Sequence, residues 1–149
     1  MKKIFIASDH GGFRLKEQLK KYLLSKKLIV QDLGPKTLTP SDDYPDYAYP
    51  LAKKVAASGS WGILICRNGI GVCIVANKVK GVRAVSTSAA SIAKTARADD
   101  DTNVLCLGQD FTPLSQAKKI VDVWLATPFS GSVRHRRRLR KLLMIEKKK

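Results

Sequence analysis

The stretch Gly62–Lys78 constrains the fold more than any other part of this chain. An apolar run, Ile63-Leu64-Ile65, ends in Cys66; a turn carrying Gly69 and Gly71 follows, and a second apolar segment closes on Asn77 and Lys78. A short β-branched run suits a strand buried in a parallel sheet, and the glycines suit a tight turn into a helix. The first turn of a helix has unpaired N–H groups and a partial positive charge. Such a turn can hold an anion, or stabilise one that forms during a reaction. Cys66 stands where the strand hands over to the turn. On position alone it is either an activated thiolate or a small, inert core residue.

The same alternation runs the length of the chain. Strands are expected at 2–8, 28–33, 61–66, 81–86 and 102–107. Helices are expected at 13–26, 47–58, 68–78, 88–98 and 112–126, where apolar residues recur with a helical period. Residues 36–45 read as a polar loop, and a basic helix is expected over about 132–146. Strands alternating with helices predict an α/β fold: a Rossmann-like three-layer αβα sandwich with a five-stranded parallel sheet and a C-terminal basic helix. The 149 residues suit a single domain, 1–149, with its basic helix and tail at about 132–149. In such sheets ligands bind at the carboxyl ends of the strands, near a switch in strand order. Asp9-His10, Cys66-Arg67-Asn68 and the Gly108 region all fall at those ends.

Charge raises a competing reading. The formal net charge is +16, and residues 134–149 hold nine Lys or Arg against one acid, Glu146. That invites nucleic acid, but few aromatics interleave, so no stacking platform for single strands is evident. No apolar run approaches the roughly 20 residues a membrane span needs. Asp9 and His10 interrupt the first apolar run too early for a signal peptide, so a cytoplasmic location is expected. The three cysteines, 66, 73 and 106, lack the paired spacing of a disulfide framework or a zinc site.

Several motifs occur in order: Ser8-Asp9-His10-Gly11-Gly12-Phe13, Ile65-Cys66 with Gly69-Ile70-Gly71, Ala76-Asn77-Lys78, Gly81-Val82-Arg83-Ala84, Asp101-Thr102-Asn103-Val104-Leu105, and Arg134-His135 with Arg137-Arg138. Together they resemble the ribose-5-phosphate isomerase B family, which includes galactose-6-phosphate isomerase subunits. The resemblance implies a reversible aldose–ketose interconversion of a phosphorylated sugar, with neither metal nor organic cofactor. It implies a base that takes the C2 proton, an enediolate, and return of the proton at C1. It also implies a homodimer or tetramer whose active site draws on two chains. One branch of the family has its base at the position of Cys66, and another has a carboxylate at the position of Val72. Valine has no basic group, so the resemblance makes Cys66 the base.

By the same resemblance, Asp9 orients sugar hydroxyls and His10 lies at the phosphate or ring end. Asn68 hydrogen-bonds a sugar oxygen, and the turn at Arg67, Gly69 and Gly71 donates to the enediolate. Arg134 and Arg138, four apart on one helical face, grip the phosphate. Each has a plainer reading: Asp9 as a helix cap, His10 as a turn residue, the arginines as a solvated face. The chain also departs from the family pattern. Asp99 replaces the histidine thought to open the furanose ring, and Asp100 replaces an asparagine near the sugar. Arg67 stands where a glycine is usual, and Asp110 where a phosphate-binding arginine is common. An aspartate at position 99 can still accept a proton, but it is a poorer acid at neutral pH than histidine unless its pKa is raised. Two enzymatic outcomes therefore stand, an active isomerase or a relative that binds without efficient turnover. A nucleic-acid-associated role on this scaffold is the third and weakest reading.

Overall fold

The computed structural model describes residues 2–149. Five strands, β1 (Ile4–Ser8), β2 (Val30–Asp32), β3 (Trp61–Cys66), β4 (Ala84–Ser86) and β5 (Val104–Gly108), form one sheet in the order β2-β1-β3-β5-β4. Every pairing is parallel. The helices are α1 (Phe13–Ser25), α2 (Pro45–Ser58), α3 (Ile70–Ala76), α4 (Ala90–Asp100), α5 (Leu114–Ala126) and α6 (Val133–Lys147).

Strand alternation divides the core in two. Ile4, Ile6, Ile63, Ile65, Leu105 and Leu107 point to one face and pack on α1, α4 and α5, with Trp124 at the end of that layer. Phe5, Ala7, Leu64, Cys66 and Cys106 point to the other face and pack on α2 and α3. The central strands are buried on both sides, which is why their sequences read as unbroken apolar runs rather than as alternation. Crossovers that move one way along the sheet use one face, and those moving the other way use the opposite face. This keeps every connection of one hand.

The expected three-layer sandwich is therefore present, with shifted boundaries. β4 is three residues, not six, because Asn77 and Asn103 side chains bond the backbone at Ala84, Arg83 and Gly81 and hold the approach to it as a fixed loop. α3 starts at Ile70, not at residue 68, because Gly69 is left-handed at φ 76°. α4 continues through Asp99 and Asp100 and ends at Asp101, which adopts φ 45°. α5 starts after Pro113, whose extended ψ of 151° puts it ahead of the helix.

The sheet has two unlike ends. Loops after β1, β3 and β5 meet at the carboxyl end, where α1 and α3 leave on opposite faces and open a crevice between β1 and β3. α6 lies at the amino end. Ser130 N–H bonds the Ala98 carbonyl ahead of its start, and Glu146 near its end accepts the Gly81 N–H.

Candidate active site

The crevice between β1 and β3 holds a cavity of about 430 Å³ lined by Asp9, His10, Tyr44, Cys66, Arg67, Asn68, Ile70, Gly71 and Ile74. Three turns build it. Gly12 permits the first to sit against β3, since a Cβ there would lie 2.5 Å from the Ile65 carbonyl. Gly108 pairs with Cys66 across β5 and β3, and a Cβ on it would lie 2.6 Å from the Asn68 carbonyl carbon. Beyond the strands, Gln109 N–H donates to the Cys66 carbonyl and Asp110 N–H to that of Arg67, both at 2.9 Å. The turn carrying Cys66 is thus fixed from both sides.

Cys66 is 5% exposed. Its Sγ accepts the Gly69 N–H at 3.2 Å and lies 3.7 Å from Asn68 Oδ1. An N–H aimed at sulfur supports negative charge there, while the amide oxygen can receive the S–H proton of the thiol. Asn68 Oδ1 also accepts the Ile70 N–H at 2.9 Å, so its Nδ2 is turned to other partners. The other two thiols are placed differently. Cys106 is fully buried, and burial pushes its thiol well up; Cys73 lies beside it, lowered by their mutual hydrogen bond. Neither lines this cavity.

Asp9 both caps and faces the site. Its Oδ1 accepts the Gly12 N–H at 3.2 Å, closing the short 3-10 turn His10–Gly12. Burial raises its carboxyl, offset in part by His10. His10 is bound by Asp42, whose Oδ1 meets the His10 N–H at 2.9 Å and ring Nδ1 at 2.8 Å. Burial pushes the Asp42 carboxyl up, but the His10 backbone N–H, its ring and Tyr47 outweigh that and hold it below the ordinary carboxylate range. Asp42 and Tyr44 come from the polar loop 36–45, where composition gave no reason to single out one residue. Tyr44 lies over Gly71, with ring atoms 2.7 Å from where a Cβ would stand. Ile70 and Ile74, each 56% exposed, form an apolar lip.

Arg67 packs its stem over Gly11, and its guanidinium reaches to within 3.9 Å of Asp110. The two departures from the family pattern thus lie side by side, opposite in charge and both exposed. Asp99, Asp100, Arg134 and Arg138 lie elsewhere. α4 leads into the amino end of β5, whereas Cys66 pairs at its carboxyl end, about 13 Å away along the strand. Asp99 Oδ1 is 3.7 Å from His135 Nε2, and Arg134 and Arg138 are exposed on α6 beside it. Within one chain, then, Asp9, His10, Arg67, Asn68, Cys66, Gly69 and Gly71 converge, and the other four do not. Among the described residues no group of three His, Cys, Asp or Glu side chains is arranged to hold a metal. No helix among them is long and apolar enough to cross a membrane.

A family model described as "Ribose/Galactose Isomerase" matches residues 4–142. The chain is 48% identical over 147 residues to a probable ribose-5-phosphate isomerase B of Mycoplasma pneumoniae, covering 98% of this chain and 96% of that one. It is 40% identical over 150 residues to the ribose-5-phosphate isomerase B of Escherichia coli, covering 100% and 99%. The crystal structure of ribose-5-phosphate isomerase B from Mycoplasma genitalium with bound ribulose-5-phosphate is also similar. It superposes with a TM-score of 0.95 at 46% identity, covering 99% of this chain and 97% of that one.

Proposed function

Because the chain belongs to the ribose/galactose isomerase family and is an aldose–ketose isomerase of sugar phosphates, we propose that it interconverts ribose 5-phosphate and ribulose 5-phosphate with Cys66 as the base. The observation that carries this reading is Sγ in the cavity wall, accepting the Gly69 N–H at 3.2 Å. A thiolate there takes the proton from C2 of the open-chain aldose. The electron pair forms the C1–C2 double bond, and charge gathers on O1. Asn68 Nδ2 and the first-turn N–H groups of Gly71 and Val72, which helix geometry leaves without intrahelical acceptors, stabilise that charge. The O2–H proton passes to O1. C2=O forms from the O2 electron pair as the double bond takes the returning proton at C1, and the ketose results with no net gain or loss of protons or electrons. Asp9 accepts from a sugar hydroxyl.

The site takes its phosphate grip from a second copy. Arg134, Arg138, Asp99 and Asp100 lie at the amino end of the sheet, too far to serve the cavity of their own chain. Apolar surface is left uncovered at both ends: Ile70 and Ile74 at the cavity lip, and Leu142, Leu143, Met144 and Ile145 along α6, each more than 40% exposed. An isologous dimer covers these surfaces and brings α4 and α6 of one copy to the cavity of the other. The phosphate then meets guanidinium groups, while Asp99 and Asp100 face the sugar. Arg67, on the cavity lip, adds a cation that Asp110 steadies.

Exchange of the C2 proton of ribose 5-phosphate in deuterated water tests the reading. Wild type is expected to exchange it, and Cys66→Ala to lose turnover by at least about 10²-fold while still binding the substrate. Near-normal turnover in Cys66→Ala removes the cysteine from the role. Binding of several sugar phosphates by wild type with no exchange from any of them favours the non-catalytic relative instead.

A further inference from the structure

The His10–Asp42 pair carries chemistry that proton transfer between C2 and C1 does not use. Its geometry fixes the tautomer. An ionised carboxylate can only accept, so at 2.8 Å from Asp42 Oδ1 the ring Nδ1 must be the nitrogen bearing hydrogen. The same oxygen takes the His10 backbone N–H at 2.9 Å, so ring and main chain are held together. The Asp42 side chain is 7% exposed and the His10 side chain 29%. The carboxylate is thus shielded while the imidazole opens to the cavity it lines with Cys66. No protein group among the described residues hydrogen-bonds Nε2. An Nε2 without a protein partner, on a ring whose Nδ1 is held by a shielded carboxylate, is the arrangement of a group that takes a proton and gives it back.

Resting on the isomerase reading above, we infer that His10 opens the furanose ring of the aldose phosphate and that Asp42 is its positioning residue. Nε2 takes the proton from the anomeric O1–H. The O1 electron pair forms the C1 carbonyl as the C1–O4 bond breaks, and the imidazolium returns the same proton to O4. Nothing is oxidised or reduced, and His10 ends as it began. Asp42 holds the Nδ1–H tautomer and offsets the transient positive charge. The step uses groups of one chain, in the same cavity as the Cys66 thiol, so ring opening and enediolate formation proceed on one bound sugar.

Ribulose 5-phosphate separates this step from the next. Its O5 is esterified, so it forms no furanose, and exchange of its C1 proton needs enediolate chemistry but no ring opening. In single-turnover measurements Asp42→Asn is expected to slow conversion of ribose 5-phosphate by about 10²-fold, yet to leave C1 exchange from ribulose 5-phosphate within about threefold of wild type. Equal loss in both assays, or loss in neither, overturns the inference. Absence of exchange from ribulose 5-phosphate in wild type instead removes the isomerase reading itself. A second measurement needs no variant. The chain has only two histidines, so 15N spectra of the folded protein are readily assigned. His10 is expected as the Nδ1–H tautomer, and a proton resident on Nε2 of the neutral ring overturns the assignment.

Discussion

Gly69 and Gly71 stand two residues apart on one turn and are glycine for different reasons. Gly69 has φ 76°, and a Cβ there would lie 2.9 Å from the Gly108 nitrogen and the Leu107 carbonyl carbon. Those are backbone atoms of a central strand and have nowhere to go. Gly69→Ala is expected to cost at least about 1–2 kcal/mol in denaturant unfolding from its left-handed backbone alone. It also moves the N–H that faces Cys66 Sγ, so activity falls with stability. Gly71 is helical, and its obstacle is the Tyr44 ring, a side chain 38% exposed. The ring can swing away, and alanine is the better helix former by up to about 1 kcal/mol. Gly71→Ala is therefore expected to leave unfolding unchanged or slightly harder while altering KM, because Tyr44 lines the cavity. A larger stability loss for Gly71→Ala than for Gly69→Ala would refute this division of roles.

The loop from β2 to α2 brings Asp42 and Tyr44 to the site, and an ion cluster around the buried Lys16 anchors its start. Lys16 on α1 is fully buried, with Nζ 3.0 and 2.9 Å from the two Asp32 oxygens and a further bond to the Pro35 carbonyl. Asp32 also accepts from Lys20 at 2.6 Å and from Gly34 N–H at 2.8 Å. Burial pushes the Asp32 carboxyl up, but Lys20, the Gly34 N–H and Lys16 together hold it below its ordinary value. A depressed carboxyl contributes stability that is complete above about pH 4 and is lost as pH falls through the lowered folded value. Lys16→Met is expected to destabilise by about 2 kcal/mol at pH 7, because it takes one charged donor from the half-buried Asp32 carboxylate. That penalty should shrink in urea titrations taken towards pH 2, and a pH-independent penalty would mean that lost packing, not charge, is responsible. Lys16 also shows where the sequence was opaque. On a helical wheel it sits among α1's lysines as one more surface charge, and only the loop folding back over it makes it a core residue. Asp42 and Tyr44 were hidden for the same reason, since a loop's side chains take their direction from distant contacts. The strands, the Cys66 turn and the Asp9-His10 pair were legible because local spacing fixes them. The apolar residues Leu142, Leu143, Met144 and Ile145 of α6 stay more than 40% exposed, which only the packed structure shows.

The whole molecule sets a problem that one chain leaves unsolved. The thiol and the arginines proposed for one reaction sit at opposite ends of a sheet whose strands cannot shorten. Flexing α6 does not bridge them, because its start is tied to α4 through Ser130 and Ala98 and Glu146 holds it to Gly81. The proposed second copy, related by a two-fold axis, would bridge them and give each cavity the other chain's arginines. Mixing inactive variants distinguishes this from a site complete in one chain. Cys66→Ala and Arg138→Ala are each expected to be nearly inactive alone. When the two are unfolded together and refolded, half of the dimers are mixed, and each mixed dimer has one cavity with both its cysteine and its partner arginine intact. Activity should therefore return to roughly a quarter of the wild-type value per chain. If both groups served the cavity of their own chain, every cavity in the mixture would lack one of them, and mixing would restore nothing. A chain-counting measurement on the same sample, by sedimentation or mass photometry, must find dimers or multiples of dimers wherever activity returns.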